Sequence, residues 1–175
     1  MIKLSPAMRK FILHWGEMGA RWGVNRTVAQ IHALLYMSPK PLNAEEIAGT
    51  LSLARSNVSN SLRELQGWGI VKVAHLLGDR RDHFESLKDV WEMFQIVMDQ
   101  RKKIEIDPTI SMFKESIKEL NKNQPDLYSK KKLNEMLDFF QMTISWYEDM
   151  RRLPTSTLVK LAKLGSKVQR LLFKK

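Results

Sequence analysis

Cysteine is absent from the 175 residues. A disulfide framework and a thiolate metal site are therefore excluded, and a reducing, cytoplasmic setting is expected. Long apolar runs are missing too. None approaches the roughly 18 residues needed to span a bilayer, so no membrane partner is expected. The opening stretch MIKLSPAMRKFILHWGEMGARWG has no apolar core and no small-residue cleavage site, and does not read as a signal peptide. No P-loop, G-x-S-x-G or H-E-x-x-H occurs. The four histidines, His14, His32, His75 and His83, show no i, i+4 pairing. His75 and His83 can face each other across a hairpin, but two imidazoles alone make a weak metal site. The acids are scattered. No enzyme, metal site or cofactor is expected.

What is present is the composition of a globular protein, with 43% hydrophobic and 27% charged residues. The length suits one domain, or a small domain with an appended helical part. The formal charge of +10 suggests a polyanionic partner. Its distribution is informative. Met1 to Leu42 carries six bases and one acid, Asn43 to Leu87 five and six, and Lys88 to Lys175 eighteen and twelve. The middle segment is the least basic. If it touches a nucleic acid, specific binding must rest on a few placed side chains rather than on bulk charge.

Ser5-Pro6 reads as an N-cap and first helical residue. Ile12, Trp15, Met18 and Trp22 follow as an inward stripe, with an end near Gly23. Asn25 caps a second helix with Val28, Ile31, Leu34 and Leu35 inward. Ser38-Pro39-Lys40-Pro41 stops it. Asn43 and Glu46 fit a capping box on a short helix with Ile47 and Leu51 inward and small Ala48 open to a neighbouring helix. Ser52-Leu53-Ala54 is a tight turn. The next helix buries Val58, Leu62 and Leu65, and Gly69 suits the left-handed residue that ends it. IVKVAHL is a strand, LGDRRD a turn, and HFESL the returning strand. Helix, helix, turn, helix and hairpin together describe a winged helix-turn-helix.

From Lys88 onward the reading is all helical. Val90, Met93, Phe94 and Val97 share one side. Asp107-Pro108 looks like a new N-cap and first position. Ile110, Phe113, Ile117 and Leu120 form a short heptad-like stripe, broken by Asn123-Gln124-Pro125. A long helix from about Ser129 to Arg152 carries Leu133, Met136, Leu137, Phe140, Ile144 and Tyr147. A last amphipathic, basic helix spans Leu158 to Phe173. The fold class expected is mainly α with a small β-hairpin wing. Residues 1–87 form the N-terminal helices and winged helix, and 88–175 a helical dimerisation and effector region.

The helix around LARSNVSNSLRELQGWG poses the functional question. Opposite its apolar stripe lie Ser56, Asn60, Arg63 and Gly67, with Asn57 and Ser59 at the borders. A merely solvated helix would be better served by Lys and Glu, which have higher helix propensity. Short amide and hydroxyl side chains instead let a helix enter a major groove about 12 Å wide, where Asn can pair bidentately with adenine. Serine hydroxyls and helix-start amides can hold phosphates. Arg55 and Arg63 add charge nearby. Arg80 and Arg81 at a hairpin tip, after flexible Gly78, can reach an adjacent minor groove.

IAGTLSLARSNVSNSLRELQGWGIV followed by GDRRDHFES resembles the winged helix of MarR-type regulators. The continuation LKDVWEMFQIVMDQRKKIEIDPT resembles the GbsR branch of that superfamily. The likeness covers Met8 to Thr109, and the remainder loosely. It implies a homodimeric DNA-binding repressor, some members of which sense choline or related osmolyte precursors. It implies that Ser56, Asn57, Asn60 and Arg63 lie on the recognition face and Arg80 and Arg81 on the wing tip. It also implies that Asp79 braces a wing arginine. Ala54 departs from the serine that often begins such helices, so one capping contact is lost.

Trp15, Trp22, Trp91, Trp146 and Tyr147 are candidates for an aromatic cage around a quaternary ammonium; core or dimer packing is the plainer reading for each. The last helix could lie on a membrane or along DNA, and reads best as burying its stripe in a dimer interface. The function expected is a homodimeric regulator of transcription on a pseudo-palindromic double-stranded operator, with a small-molecule effector. The alternative is a winged-helix adaptor or architectural protein without an effector.

Overall fold

The computed structural model describes residues 3–122, 126–161 and 164. It divides into two compact units, Met1–Val97 and Met98–Lys175. The sequence-based boundary at Leu87/Lys88 falls earlier, at the end of the wing.

In the first unit, α1 (Pro6–Arg21) is capped by Ser5, whose side chain accepts from the Met8 N–H, with proline at the first helical position. Its buried stripe differs from the expected one. Ile12, Gly16 and Gly19 are buried, Trp15 and Met18 are half-buried, and Trp22 lies exposed just past the last turn. The reason is the close crossing of α1 on α2 (Arg26–Met37). A Cβ added at Gly19 would stand 2.6 Å from the Ala29 Cβ, so no bulky residue fits on that line.

Helix α2 is the central element. Asn25 accepts from the Thr27 N–H at 2.8 Å. Val28, Ile31, Leu34 and Leu35 are all buried, as expected. Each such burial stabilises the fold by roughly 1.5–3 kcal/mol. Its C-terminus is closed by a residue far away in sequence. The Lys88 ammonium donates to the carbonyls of Leu35, Tyr36 and Ser38, each at 2.8 Å. This satisfies orphan carbonyls and places a cation at the negative end of the helix.

Helix α3 (Ala44–Leu51) begins with the expected capping box. Asn43 Oδ1 accepts from the Glu46 N–H, and the Glu46 carboxylate accepts from the Asn43 N–H, both at 2.9 Å. Ser52 turns the chain at φ 55° into α4 (Arg55–Gly67). Val58, Leu62 and Leu65 of α4 are buried against the α2 core. Ala54 has the extended backbone of a cap but makes no side-chain capping bond, in line with the departure noted above. Gly69 takes φ 78°.

The sheet has three strands where the sequence suggested two. β1 (Leu42–Asn43) pairs with β3 (Asp79–Ser86), which also pairs with β2 (Val71–Leu76), giving the order β1-β3-β2. Two residues are too few for a periodicity signal, so β1 escapes sequence reading. The hairpin is also tighter than expected. Leu76 faces Asp79, so only Leu77 and Gly78 form the turn. The stretch Asp79 to Asp82 belongs to β3 rather than to a loop. The register shifts between Ala74 and Leu76. His83 pairs with Ala74 and is buried, whereas His75 is exposed at the shift.

Helix α5 (Val90–Arg101) links to the second unit. Of its expected inward residues only Met93 is buried; Val90 and Phe94 are exposed. The expected fresh start at Asp107-Pro108 is corrected. The chain stays helical, through a π-helical turn (Lys102–Ile106) into α6 (Asp107–Lys122). Asp107 itself has helical angles, φ −61° and ψ −43°. The wide turn relieves the clash a proline ring makes with the carbonyl four residues back, so the helix need not end.

Helix α7 (Leu127–Arg151) is capped by Asp126. It packs on α6, with Phe140 edge-on to Phe113 at 5.6 Å. Leu133, Leu137, Phe140, Ile144 and Tyr147 are half-buried as one stripe, but Met136 is exposed. The Tyr147 hydroxyl donates to Asp99 at 3.0 Å, and Arg151 pairs with Asp99 at 2.6 Å. Residues 155–161 are helical. The expected break at Asn123-Gln124-Pro125 and most of the expected last helix lie outside the described residues.

Candidate nucleic-acid interface

Burying Val58, Leu62 and Leu65 fixes which way α4 faces. Ser56, Asn57, Asn60 and Arg63 then stand exposed, and Ser59 is half-buried. Asn57 has no described polar partner. Arg63 reaches back to Asn60 Oδ1 at 3.3 Å, a long contact that leaves the amide nitrogen and most of the guanidinium open to solvent. Arg55 is held more firmly. Its Nε donates to Glu45 Oε1 at 3.0 Å and its Nη1 to Ser59 Oγ at 2.6 Å. The Ser59 hydroxyl in turn donates to the Arg55 carbonyl at 3.1 Å. The arginine beside it holds the Glu45 carboxyl below its usual range. Arg55 and Ser59 thus form a braced pair at the start of the helix. Glu45, the brace, was not among the residues the sequence singled out.

The wing arginines differ from each other. Arg81 is clasped by Asp79: Nε donates at 2.9 Å to Oδ1 and Nη2 at 2.5 Å to Oδ2. The expected bracing is therefore present. The guanidinium holds the Asp79 carboxyl far below the ordinary carboxylate range, and Asp79 raises the Arg81 pKa in return. His83 anchors the base of this array, its ring Nδ1 2.9 Å from the Arg81 carbonyl. Arg80 is exposed, with no described partner. Neither arginine is at the tip, because the turn is only Leu77-Gly78.

Helix α4 and β3 border one groove of about 340 Å³. Arg55, Arg63 and Arg81 line it together with Glu45, Asp82 and Gln66. Seven of the eight predicted interface residues fall on α4 or at its groove with β3; Arg80 lies on the neighbouring strand position. The arginines are partly offset by local acids, as the charge count along the chain implied.

A second cavity, about 200 Å³, lies within the first unit among Phe11, Trp15, His32, Tyr36, Val90 and Met93. His32 Nε2 is buried there without a hydrogen-bond partner in the structure. Burial, and then the nearby Lys88 ammonium, lower its pKa to about 4, so the ring is neutral at pH 7. Lys88 also sits 5.8 Å from the centre of the Tyr36 ring. Sequence reading grouped Trp15 with Trp22, Trp91, Trp146 and Tyr147. Of these only Trp15 lines the cavity. Trp22 and Trp146 are exposed, Trp91 packs edge-on to Phe94, and Tyr147 bonds Asp99. His32 gave no sequence signal, because a lone histidine on a buried helix face resembles any core position. Among the described residues no group of three or more metal-ligating side chains is gathered, and no helix is long and apolar enough to cross a membrane.

No protein-family model matches the chain. Two proteins of Bacillus subtilis strain 168 are similar to it. YvaV, whose name assigns it to the HTH-type transcriptional regulators, is 22% identical over 155 residues, 86% of either chain. The HTH-type transcriptional repressor OpcR is 22% identical over 140 residues, covering 75% of this chain and 74% of that one. A crystal structure described as a transcriptional regulator superposes with a TM-score of 0.66 at 18% identity, over 90% of this chain and 99% of the other. The fold is that of the winged helix-turn-helix regulators: mostly helical, with a small three-stranded antiparallel sheet.

Proposed function

We propose that the chain is a sequence-specific DNA-binding regulator of transcription, acting in the cytoplasm as a homodimer and most simply as a repressor. The observation that carries this reading is the exposure of Ser56, Asn57 and Asn60 on α4, a helix that shares a groove with the Asp79-braced Arg81. Asn57 and Asn60 would read base edges in a major groove. Arg63, the Arg55–Ser59 pair and the wing arginines would hold phosphates or a minor-groove edge. The similarity to YvaV and OpcR supports a DNA ligand. The GbsR-like branch is the finer assignment, carried by the sequence resemblance described above.

In this reading residues 1–87 bind DNA and 88–175 supply the dimer contact. Two copies of α4 would enter successive major grooves about 34 Å apart on a pseudo-palindrome. The cavity at His32 suits an effector. It is aromatic, and the His32 Nε2 buried in it has no hydrogen-bond partner among the described residues. Choline is the first ligand to try because of the sequence resemblance; the Lys88 ammonium at the Tyr36 wall opposes a second cation there, so an uncharged analogue of the same size is tried beside it. Binding would alter the packing of α5 on α1 and α2, and so the spacing of the two recognition helices.

The test is fluorescence anisotropy on a duplex obtained by selection from random sequence, against a scrambled duplex. Asn60→Ala should cost about 1–3 kcal/mol on the selected duplex and little on the scrambled one. Arg81→Ala should weaken both alike and lower the salt slope by about one. Equal loss on both duplexes for Asn60→Ala would overturn the assigned roles. Absence of any preference in the unmodified protein would favour the adaptor reading, which the weak charge of residues 43–87 also suits.

A further inference from the structure

The wing ends in leucine. Leu77 is fully exposed, the most exposed of the large apolar side chains described, and Leu76 beside it is 41% exposed. Among the described residues nothing covers Leu77, and Leu76 is partly covered. The local backbone does not favour leucine there. Two-residue hairpin loops are best made by residues that accept positive φ at the first or both central positions, chiefly Gly, Asn and Asp. Here only the second, Gly78, has positive φ, at 84°. That is the pattern of a type II turn, which splays the strands. The register shift between Ala74 and Leu76 adds local twist next to the tip. A leucine that stabilises neither the turn nor the core, at the far end of a projecting hairpin, calls for a contact outside the molecule.

Lone exposed leucines are common and need no explanation. Three neighbouring features single out this one. It lies at the outer end of the hairpin whose returning strand, β3, carries Arg80, without a described partner, and Arg81, held by Asp79. That strand borders the same groove as α4, so the wing stands beside the side of the helix that carries Arg55, Ser59 and Arg63. Beside the tip Arg80 is exposed and without a described partner, which suits a phosphate and not a lipid interior. We propose that Leu77, supported by Leu76, is an apolar wedge for the DNA minor groove. It would press against sugar edges and partly unstack one base step, while Arg80 and Arg81 hold the flanking phosphates. Apolar wedges of this kind open a step and kink the duplex. The cost is least at flexible pyrimidine–purine steps such as TA and CA/TG. Leu77 would thus select sequence at a position that the amide face of α4 does not touch. The proposal rests on the DNA-binding reading and adds to it a second, shape-based source of specificity.

The experiment uses full-length protein and the duplex recovered by selection, with the step under the wing set to TA or to GG. Affinity is read by anisotropy, and bending by energy transfer between dyes at the duplex ends. Leu77→Ala should bind the TA duplex about tenfold more weakly, lose the TA-over-GG preference and bend the DNA less. Leu77→Met should keep all three properties. Because Leu77 touches nothing, both variants should match the parent in circular dichroism and melting. Asn60→Ala separates the two readings: it should lose base preference under α4 yet still bend the duplex. Unchanged affinity, preference and bend in Leu77→Ala, with Asn60→Ala still impaired, would overturn the wedge alone. No DNA binding by the parent protein would overturn the wedge and the proposed function together.

Discussion

Leu34 and Phe139 are both large apolar residues on helices, yet Leu34 is wholly buried and Phe139 is 57% exposed. The two compact units differ in the size of the core they close. In residues 1–97 one core joins α1, α2, α3, α4 and the sheet, and its inward positions are closed on every side. In residues 98–175 only Phe113, among the described residues, is a buried large apolar side chain. There α7 presents two adjacent apolar stripes. One, through Phe140, packs on α6. The other, Met136, Phe139, Met142 and Trp146, at steps of three, three and four, faces outward. Among the described residues nothing covers this stripe, and exposed apolar surface of this extent marks an interaction site. The first unit has the core of a self-standing domain, and the second needs a cover. A second copy is the occupant the proposed dimer supplies.

The largest effect that would break this contrast concerns that stripe. Phe139→Asp should leave the melting of the first unit nearly unchanged, because the side chain is already half in water. In sedimentation equilibrium it should weaken self-association about a thousandfold, the scale of an interface hot spot. Binding to a two-half-site duplex should fall with it. A Phe139→Asp protein that remains a dimer would show that the open stripe is not the interface.

Next in size is the pH response of the first unit. His32 has a folded pKa of about 4 against about 6.5 when unfolded. The unfolded chain therefore binds more protons between these values. The contribution of neutral His32 is present in full above about pH 6.5 and is lost as the pH falls toward 4. The amount is about 3 kcal/mol. Denaturant unfolding of His32→Leu and the parent, followed from pH 7.5 to 4, should give two curves that separate on the acid side, the parent falling by about 3 kcal/mol relative to the variant. Parallel curves would mean that His32 is not held neutral.

The smallest effect sharpens the reading of α4. Ala54→Ser should add the missing capping bond to this helix and raise stability by about 0.5–1 kcal/mol. The backbone there is already extended. The midpoint of urea unfolding measures it, and no gain would mean that the residue 54 side chain cannot reach the helix amides.

Most of the first unit was legible in the chain because its signals are local. Capping pairs such as Asn43 and Glu46, the proline stop after α2, and the apolar periods of α2 and α4 each act within a few residues. The face of α4 followed from the burial of Val58, Leu62 and Leu65 alone. The misreadings share the opposite character. Trp22 falls outside the α1 stripe, whose close crossing on α2 needs Gly16 and Gly19, while Trp15 packs at the edge of the core. β1 exists only because β3 lies beside it. Pro108 did not break its helix, because a π turn opened ahead of it.

By itself, then, the order of residues determined where the helices of the first unit begin and stop and which side of α4 is polar. These depend on bond geometry and on neighbours within one or two turns. Only the tertiary structure decided that Glu45 braces Arg55, that Lys88 closes α2 from fifty residues away, that His32 is left without a partner, and that Leu77 caps the wing uncovered. Such outcomes are set by which distant surfaces exclude water from each other, and no local pattern records that.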